Sequence, residues 1–481
     1  MDRDLLSIQQ VRDLIKAAKS AQKEFATFSQ ERIDRVVEAI SMEIRKHSEK
    51  LAKMANEETG FGKWQDKTIK NKFASEFLYD YIKDMKTVGI LSETDTVMEV
   101  GVPMGVVAAL IPSTNPTSTA IYKTLISLKS GNGVVVSPHP NAKNCTIEAV
   151  KIMQKAAYAA GAPEGLIGVI EIPSMEGTNA LMKSNDTAII LATGGEAMVR
   201  AAYSSGRPAI GVGPGNGPAY IEKSANIKEA VRKIMESKTF DNGVICASEQ
   251  SVIVEPCNKE EVISEFKRQG AYFLSKEESD RLGRFLLRAN GTMNPQIVGK
   301  DAQTLAKMVG LQIPENIRVL ISEQNTVSHT NPYSREKLTT VLAFYVEDNA
   351  EKACERAIEL LENEGQGHTL IIHSEDKNII REFALKKPVS RMLVNVGGSL
   401  GGVGATTDLA PAFTLGCGAV GGSSTSDNIS PMNLINIRRV ACGVRELSDF
   451  RGAQQNLNSN ENINSVEIEN IIRRIIAEYR K

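Results

Sequence analysis

In the stretch FDNGVICASEQ, Cys246 follows a glycine-containing turn and precedes a polar patch. A thiol placed there is either small apolar filler or, once ionised, a nucleophile toward a carbonyl carbon. A second chemically able side chain lies in IPSTNPTST, where Asn115 stands between Thr114 and Pro116 at the end of an apolar run. Its amide N–H groups can stabilise an oxyanion, but an Asn-Pro pair also serves simply to start a turn. In LATGG, the residues Thr193, Gly194 and Gly195 close an apolar strand just before a helix. Backbone N–H groups at such a helix start can face a phosphate, and glycine lets the phosphate approach. GVGPGNGPAY, Gly211 to Tyr220, reads as one tight loop that either a ligand or another chain segment approaches closely.

These residues need a scaffold. The chain has 481 residues, room for a large core and more than one domain. Its first eighty or so residues read as helices, with Ile33, Val36, Val37, Ile40, Ile44 and Leu51 on one face of a single helix that Gly60 and Gly62 end. DTVMEVGVPMGVVAALIP reads as strands and a hairpin. From there GVVAALI, NGVVVSP and TAIILAT are apolar strands that alternate with amphipathic helices. That alternation predicts an α/β fold with a doubly wound parallel sheet. A second α/β run, from SVIVE through HTLIIHS to RMLVNV, predicts a second sheet in a domain of its own. The Gly- and Ser-rich segment GGSLGGVGATTDLAPAFTLGCGAV is too apolar for a linker and reads as ordered loop over a cleft.

Composition narrows the function classes. Lys+Arg 57 against Asp+Glu 58 gives no electrostatic case for nucleic acid or an anionic membrane. No apolar run has transmembrane length, and the charged N-terminal stretch lacks a signal-peptide core, so the expectation is a cytoplasmic protein. The 6 cysteines show no paired spacing and only 5 histidines are present, which argues against a metal site or a disulfide framework. The tail differs in kind. RGAQQNLNSNENINS, Arg451 to Ser465, reads as flexible linker. In VEIENIIRRIIAEYRK, Ile468, Ile471, Ile472, Ile475, Ile476 and Tyr479 form one apolar stripe, which either folds back on its own protein or docks on another.

Taken together, IPSTNP, VVVSPHP, LATGG, AYSSGRPAIGVGPGNGP, FDNGVICASEQSVIVE, REKLTTVLAFY and EGQGHT make the chain resemble the aldehyde dehydrogenase superfamily over roughly residues 5 to 450. The resemblance is nearest to the CoA-acylating branch, whose members oxidise acetaldehyde, propionaldehyde or succinate semialdehyde to acyl-CoA. It implies an aldehyde dehydrogenase-like fold: a Rossmann-like dinucleotide- and CoA-binding domain over 1–221, with an oligomerisation hairpin at 91–104. A catalytic α/β domain would follow over 222–415, and 416–450 would return to the cofactor domain and an oligomerisation strand of the small β arm. Residues 451–465 would be linker and 466–481 an encapsulation helix.

By position, the resemblance makes Cys246 the thiolate nucleophile and Asn115 an oxyanion donor beside the Cys246 backbone N–H. Thr193, Gly194 and Gly195 fall under the dinucleotide phosphates, and Gly213 in the glycine-rich turn joins the cofactor contacts. Ser137, Pro138 and His139 take the loop beside the adenosine ribose, and Glu336 holds the nicotinamide ribose. Hydrolytic relatives carry a water-activating glutamate where Val212 or Gly213 stands here, and neither can take a proton. The resemblance therefore implies a Cys246 thioester collected by CoA as co-substrate, with NAD (or NADP) reduced and the reaction reversible. Pro140 stands where many hydrolytic relatives place a ribose-binding glutamate, which leaves NAD against NADP open. It also implies a homo-oligomer, dimer or tetramer, and a tail that binds a bacterial microcompartment shell protein and places the enzyme inside that compartment. The expected substrate is acetaldehyde or propionaldehyde. The alternatives are a CoA-dependent succinate-semialdehyde dehydrogenase, for which Arg207 or Arg391 would bind the second carboxylate, and a catalytically silent cargo or scaffold protein.

Overall fold

The computed structural model describes residues 2–451 and 465–478. Its described strands are β1 (Gly89–Glu93), β2 (Val97–Pro103), β3 (Val106–Leu110), β4 (Gly133–Ser137), β5 (Ile167–Val169), β6 (Thr187–Thr193), β7 (Ala209–Val212), β8 (Gly217–Ile221), β9 (Glu249–Val254), β10 (Ala271–Phe273), β11 (Val319–Glu323), β12 (Val341–Val346), β13 (Gly367–His373), β14 (Val389–Val394) and β15 (Ile435–Ala441). They form three sheets: a 5-stranded sheet β5-β4-β3-β6-β7, a 7-stranded sheet β10-β11-β12-β9-β8-β13-β14, and a 3-stranded sheet β1-β2-β15. All pairs described in the two larger sheets are parallel. The chain divides into two compact units. The first, Met1–Gly89 with Gly101–Asn436, holds the two large sheets; the second comprises Ile90–Val100 and Ile437–Lys481.

Strand periodicity explains why both large sheets are covered on both faces. In β3, Val107 and Ala109 join one apolar cluster while Val106, Ala108 and Leu110 join another, and all five are buried. In β12, Ala343 and Tyr345 face one cluster and Leu342 and Phe344 the other. A parallel strand covered on both sides by helices must be apolar throughout, which is how these segments read. Deleting one such side chain to alanine costs about 2–5 kcal/mol.

Two local expectations need correction. The single helix expected over residues 33–51 is interrupted: Gln30–Ile44 is followed by a 3-10 turn, Arg45–His47, and a new helix, Ser48–Thr59. Both helices keep their apolar residues inward, so periodicity alone did not reveal the break. Nor is GVGPGNGPAY one loop. Gly211 and Val212 end β7, Gly217 to Tyr220 belong to β8, and only residues 213–216 connect them. Gly211 masked β7, whose remaining residues are buried, while of β8 only the end, from Ala219, was legible as strand. The helix Ser465–Glu478 covers most of the amphipathic tail, with Val466, Ile468, Ile471, Ile472, Ile475 and Ile476 exposed. The linker residues 452–464 and residues 479–481, Tyr479 among them, lie outside the described residues.

Candidate active site

In the 5-stranded sheet the strand order reverses at β3: the chain runs outward through β4 and β5, then returns to the other side of β3 as β6. Loops leaving the carboxyl ends of β3 and β6 therefore splay apart and leave a crevice. Asn115 follows β3 and is the N-cap of the helix Pro116–Lys129, whose first residue is a proline with no N–H to satisfy. Thr193 ends β6, and Gly195 is the N-cap of the helix Glu196–Tyr203.

The 7-stranded sheet presents its other ends. Residues 213–216 precede β8, Cys246 precedes β9, Glu336 precedes β12, and His368 lies at the start of β13. The turn before Cys246 is built from unusual backbone: Asp241 and Asn242 have φ of 48° and 52°, and Gly243 has φ of 77°. At Gly243 glycine is required twice over, because a Cβ would also meet the Thr339 carbonyl oxygen at 2.9 Å.

A cavity of about 240 Å³ brings these two sets of loops together. Asn115, His139, Thr193, Gly194, Gly195, Gly213, Cys246 and Glu336 all line it. Ser137 and Pro138 do not line it. Ser137 is buried, with its hydroxyl 3.0 Å from that of Thr178, and Pro138 is buried as well. Of that loop only His139 reaches the cavity, its Nδ1 accepting from the Asn141 N–H at 3.1 Å.

Cys246 opens partly on the cavity, and its backbone N–H donates to no protein acceptor among the described residues. Burial pushes its thiol up to about 12, with the Glu336 carboxylate adding to the effect and Arg391 opposing it. The sulfur is thus held as a thiol until something lowers that value. Glu336 is itself pushed up to about 8, by burial first and by Glu364 second, although its Oε1 accepts from the Gly215 N–H at 2.9 Å. Asn115 accepts at Oδ1 from the Lys70 ammonium at 2.6 Å. Its N–H groups have no partner among the described residues and are available to an oxyanion.

The residues present fit a dinucleotide. Gly195 and Gly213 have no positive φ to explain them, and a Cβ built on either meets no atom of the described residues within 4 Å. Neither packing nor backbone demands glycine there, so the open space above them suits a ligand lying along the chain. Val212 and Gly213 both line the cavity, and neither carries a group that can activate water.

Ile245, Val403, Phe413 and Leu415 give the cavity an apolar stretch of wall. No arginine or lysine lines it among the described residues. Arg391 is committed elsewhere: its guanidinium donates to Asn428 Oδ1 and to the carbonyls of His368, Gly416 and Ser426. Arg207 donates to Asn185. His368 is buried behind Cys246, where a Cβ on Gly215 would touch both the Cys246 carbonyl and the His368 ring. Burial pushes its imidazole down to about 3, so it stays neutral, and its Nε2 has no partner among the described residues. Cys417 is not in this cavity but lines an adjoining cleft of about 490 Å³ that shares Gly213 and Pro214 with it.

Sequence reasoning passed over Lys67, Lys70 and Asp241. The two lysines lie one helical turn apart on Trp64–Lys72, in the strongly charged segment WQDKTIKNK, yet both are buried. Asp241 accepts from both ammonium groups. The only signal was a like-charge pair at a three-residue spacing, which is common on exposed helices.

Residues 5–333 match the model of the aldehyde dehydrogenase family. The chain is 45% identical over 442 residues to the bifunctional aldehyde-alcohol dehydrogenase AdhE of Escherichia coli K12, covering 90% of this chain and 50% of that protein. It therefore spans about half the length of that relative. Among solved structures, a probable aldehyde dehydrogenase from Listeria monocytogenes EGD-e superposes with a TM-score of 0.93 at 64% identity, covering 94% of this chain and 100% of that one. An acetylating aldehyde dehydrogenase from Geobacillus thermoglucosidasius superposes with a TM-score of 0.91 at 51% identity, covering 93% and 99% respectively.

Proposed function

The chain belongs to the aldehyde dehydrogenase family, and from that premise we propose that it converts a short, uncharged aldehyde to an acyl-CoA with reduction of NAD, through a thioester on Cys246. The observation that carries this reading is one cavity that joins a thiol, two unspent oxyanion donors and an open glycine cradle, with Val212 and Gly213 in the slot for a water-activating carboxylate.

Cys246, once ionised, attacks the aldehyde carbon. The resulting oxyanion lies between the Asn115 amide and the Cys246 N–H, where fixed donors stabilise it without reorganising. NAD, when bound, supplies the acceptor for the hydride that leaves the same carbon. The carbonyl then reforms as a thioester, and the thiol of CoA displaces Cys246. Run backward, the same steps reduce an acyl-CoA to the aldehyde. Gly194, Gly195 and Gly213 would lie along the dinucleotide, and His139 would lie on its adenosine side. Glu336 would hold the nicotinamide ribose. Its carboxyl shares the cavity with the sulfur, but its Oε1 is engaged by the Gly215 N–H. A role for Glu336 in water activation would appear as acid formed without CoA and lost in Glu336→Gln.

The uncharged wall favours acetaldehyde or propionaldehyde. Succinate semialdehyde would bring its carboxylate into a cavity lined by no cationic side chain among the described residues, a costly burial. A silent cargo protein would have no use for free amide donors lining the same cavity as a thiol. The test is NADH formation from propionaldehyde, with and without CoA, in the native chain and in Cys246→Ala. Turnover only with CoA, lost in the variant, supports the reading. Absence of signal in every case would favour the silent protein.

For the remainder of the chain, we propose a homo-oligomer built through the small sheet, where Ile90, Val97, Ile437 and Val440 are exposed. The exposed apolar stripe of Ser465–Glu478 is proposed to dock on a microcompartment shell protein. Removal of residues 466–481 would then leave turnover intact and abolish co-sedimentation with shells. Loss of turnover together with loss of the oligomer would instead assign the helix to the enzyme itself.

A further inference from the structure

An amide has two ends of nearly equal shape, and only its NH₂ end can stabilise an oxyanion. What decides which end of Asn115 faces the cavity is Lys70. An ammonium has three donors and no acceptor, so it accepts only the carbonyl end as a neighbour. Lys70 Nζ donates to Asn115 Oδ1 at 2.6 Å, to the Val244 carbonyl at 2.7 Å and to Asp241 Oδ2. All three donors are spent within the protein, and Lys70 does not line the cavity. The side chain is 2% exposed, and Asp241 beneath it is 0% exposed, so the charge pair is held away from water. Lys67 supports the same loop from one turn earlier, donating to the Thr114 carbonyl and to Asp241 Oδ2, each at 3.0 Å.

The geometry points to Lys70 as the positioning residue of the oxyanion site, an assignment that rests on the thioester chemistry proposed above. It fixes the orientation of the Asn115 amide, and through the Val244 carbonyl it ties that amide to the backbone two residues before Cys246. Both oxyanion donors are thereby referenced to one buried ammonium. The charge-assisted bond to Oδ1 also draws electron density away from the amide N–H groups, which strengthens them as donors. Asp241 is the counter-charge that makes a buried ammonium tolerable, and its left-handed backbone brings the carboxylate under Lys70.

The test is a double-mutant cycle on thioester formation, read as the pre-steady-state NADH burst in the whole 481-residue chain. Lys70→Met removes the donor with little change in length, and Asn115→Ala removes the amide. Each alone is expected to slow the burst, Asn115→Ala by about 100-fold and Lys70→Met by about 10–100-fold. The double variant should fall within about 3-fold of Asn115→Ala, because Lys70 has nothing left to orient. The rate of Cys246 alkylation by iodoacetamide, which forms no oxyanion, should change little in Lys70→Met. Lys70→Gln, which keeps an N–H donor, should recover part of the burst rate, and it runs the same cycle if Lys70→Met does not fold. Additive losses, or a Lys70→Met burst equal to that of the native chain, would overturn the assignment.

Release of nitrophenolate from p-nitrophenyl acetate, which acylates Cys246 through a like oxyanion without NAD or CoA, separates this inference from the proposed function. If the ester reaction follows the cycle while aldehyde oxidation is absent, the function fails and the positioning role stands. If neither reaction occurs in the native chain, both fall.

Discussion

The two large sheets meet the same cavity with opposite ends. The 5-stranded sheet offers the carboxyl ends of β3 and β6, where a reversal of strand order leaves a crevice by topology alone. The 7-stranded sheet offers the amino ends of β8, β9 and β12, where no such rule opens a space. Its contribution depends on purpose-built backbone: left-handed Asp241, Asn242 and Gly243 before Cys246, and left-handed Leu338, φ 47°, after Glu336. Strained residues of this kind persist only where their surroundings fix them, and Asp241 is fixed by two lysines and the Lys63 N–H. The difference teaches that the part of the cavity on the 5-stranded sheet follows from the fold. The part that carries Cys246 follows from a buried polar network that the fold class does not require.

That division predicts how variants should sort. On the second sheet, Cys246→Ala should remove the bond-making step and cut kcat/KM by more than about 1,000-fold, while a fluorescence titration still shows NADH binding. A variant that kept appreciable acyl-CoA formation would break the division outright. Asn115→Ala, on the first sheet but acting on bond making, should cost about 100-fold in kcat and little in the KM for NAD. Gly195→Val, at the open cradle, should do the reverse. We expect the KM for NAD to rise about 10-fold while iodoacetamide labels Cys246 at an unaltered rate. A fall in labelling would show that the halves are coupled.

The smallest effect concerns pH. With the Cys246 thiol pushed up to about 12, its alkylation in the ligand-free protein should rise steadily with pH and show no plateau between pH 7 and 10. Glu336, pushed up to about 8, gains its charge within that range and then disfavours the thiolate. Glu336→Gln should therefore speed alkylation at pH 9–10 by roughly 3–10-fold and hardly at all at pH 7. An equal effect at both values would mean that Glu336 acts through packing and not charge.

The strands β3, β4, β6, β9, β12 and β13 were legible because each is an unbroken apolar run bounded by turn residues. β5 and β10 escaped notice at 3 residues each, too short to show a period. β7 was hidden by its glycine, Gly211, where a Cβ would strike the side chains of Val199 and Tyr203. Within the site, Cys246 and Asn115 were found as chemistry-bearing types at loop positions, with family resemblance supplying the pairing. The resemblance alone places Ser137 beside the adenosine ribose; in the structure its hydroxyl lies 3.0 Å from that of Thr178. Lys70 could not be found by pattern, because burial of a lysine on a charged helix depends on a carboxylate 171 positions away in the chain.

The central claim concerns the fate of the Cys246 thioester, and product analysis tests it most directly. Propionaldehyde and NAD supplied without CoA should give about one NADH per site and negligible propionate, and adding CoA should give continuous turnover with propionyl-CoA matching NADH. Sustained propionate formation in the absence of CoA would contradict the account, since it would mean that a group in this cavity activates water after all.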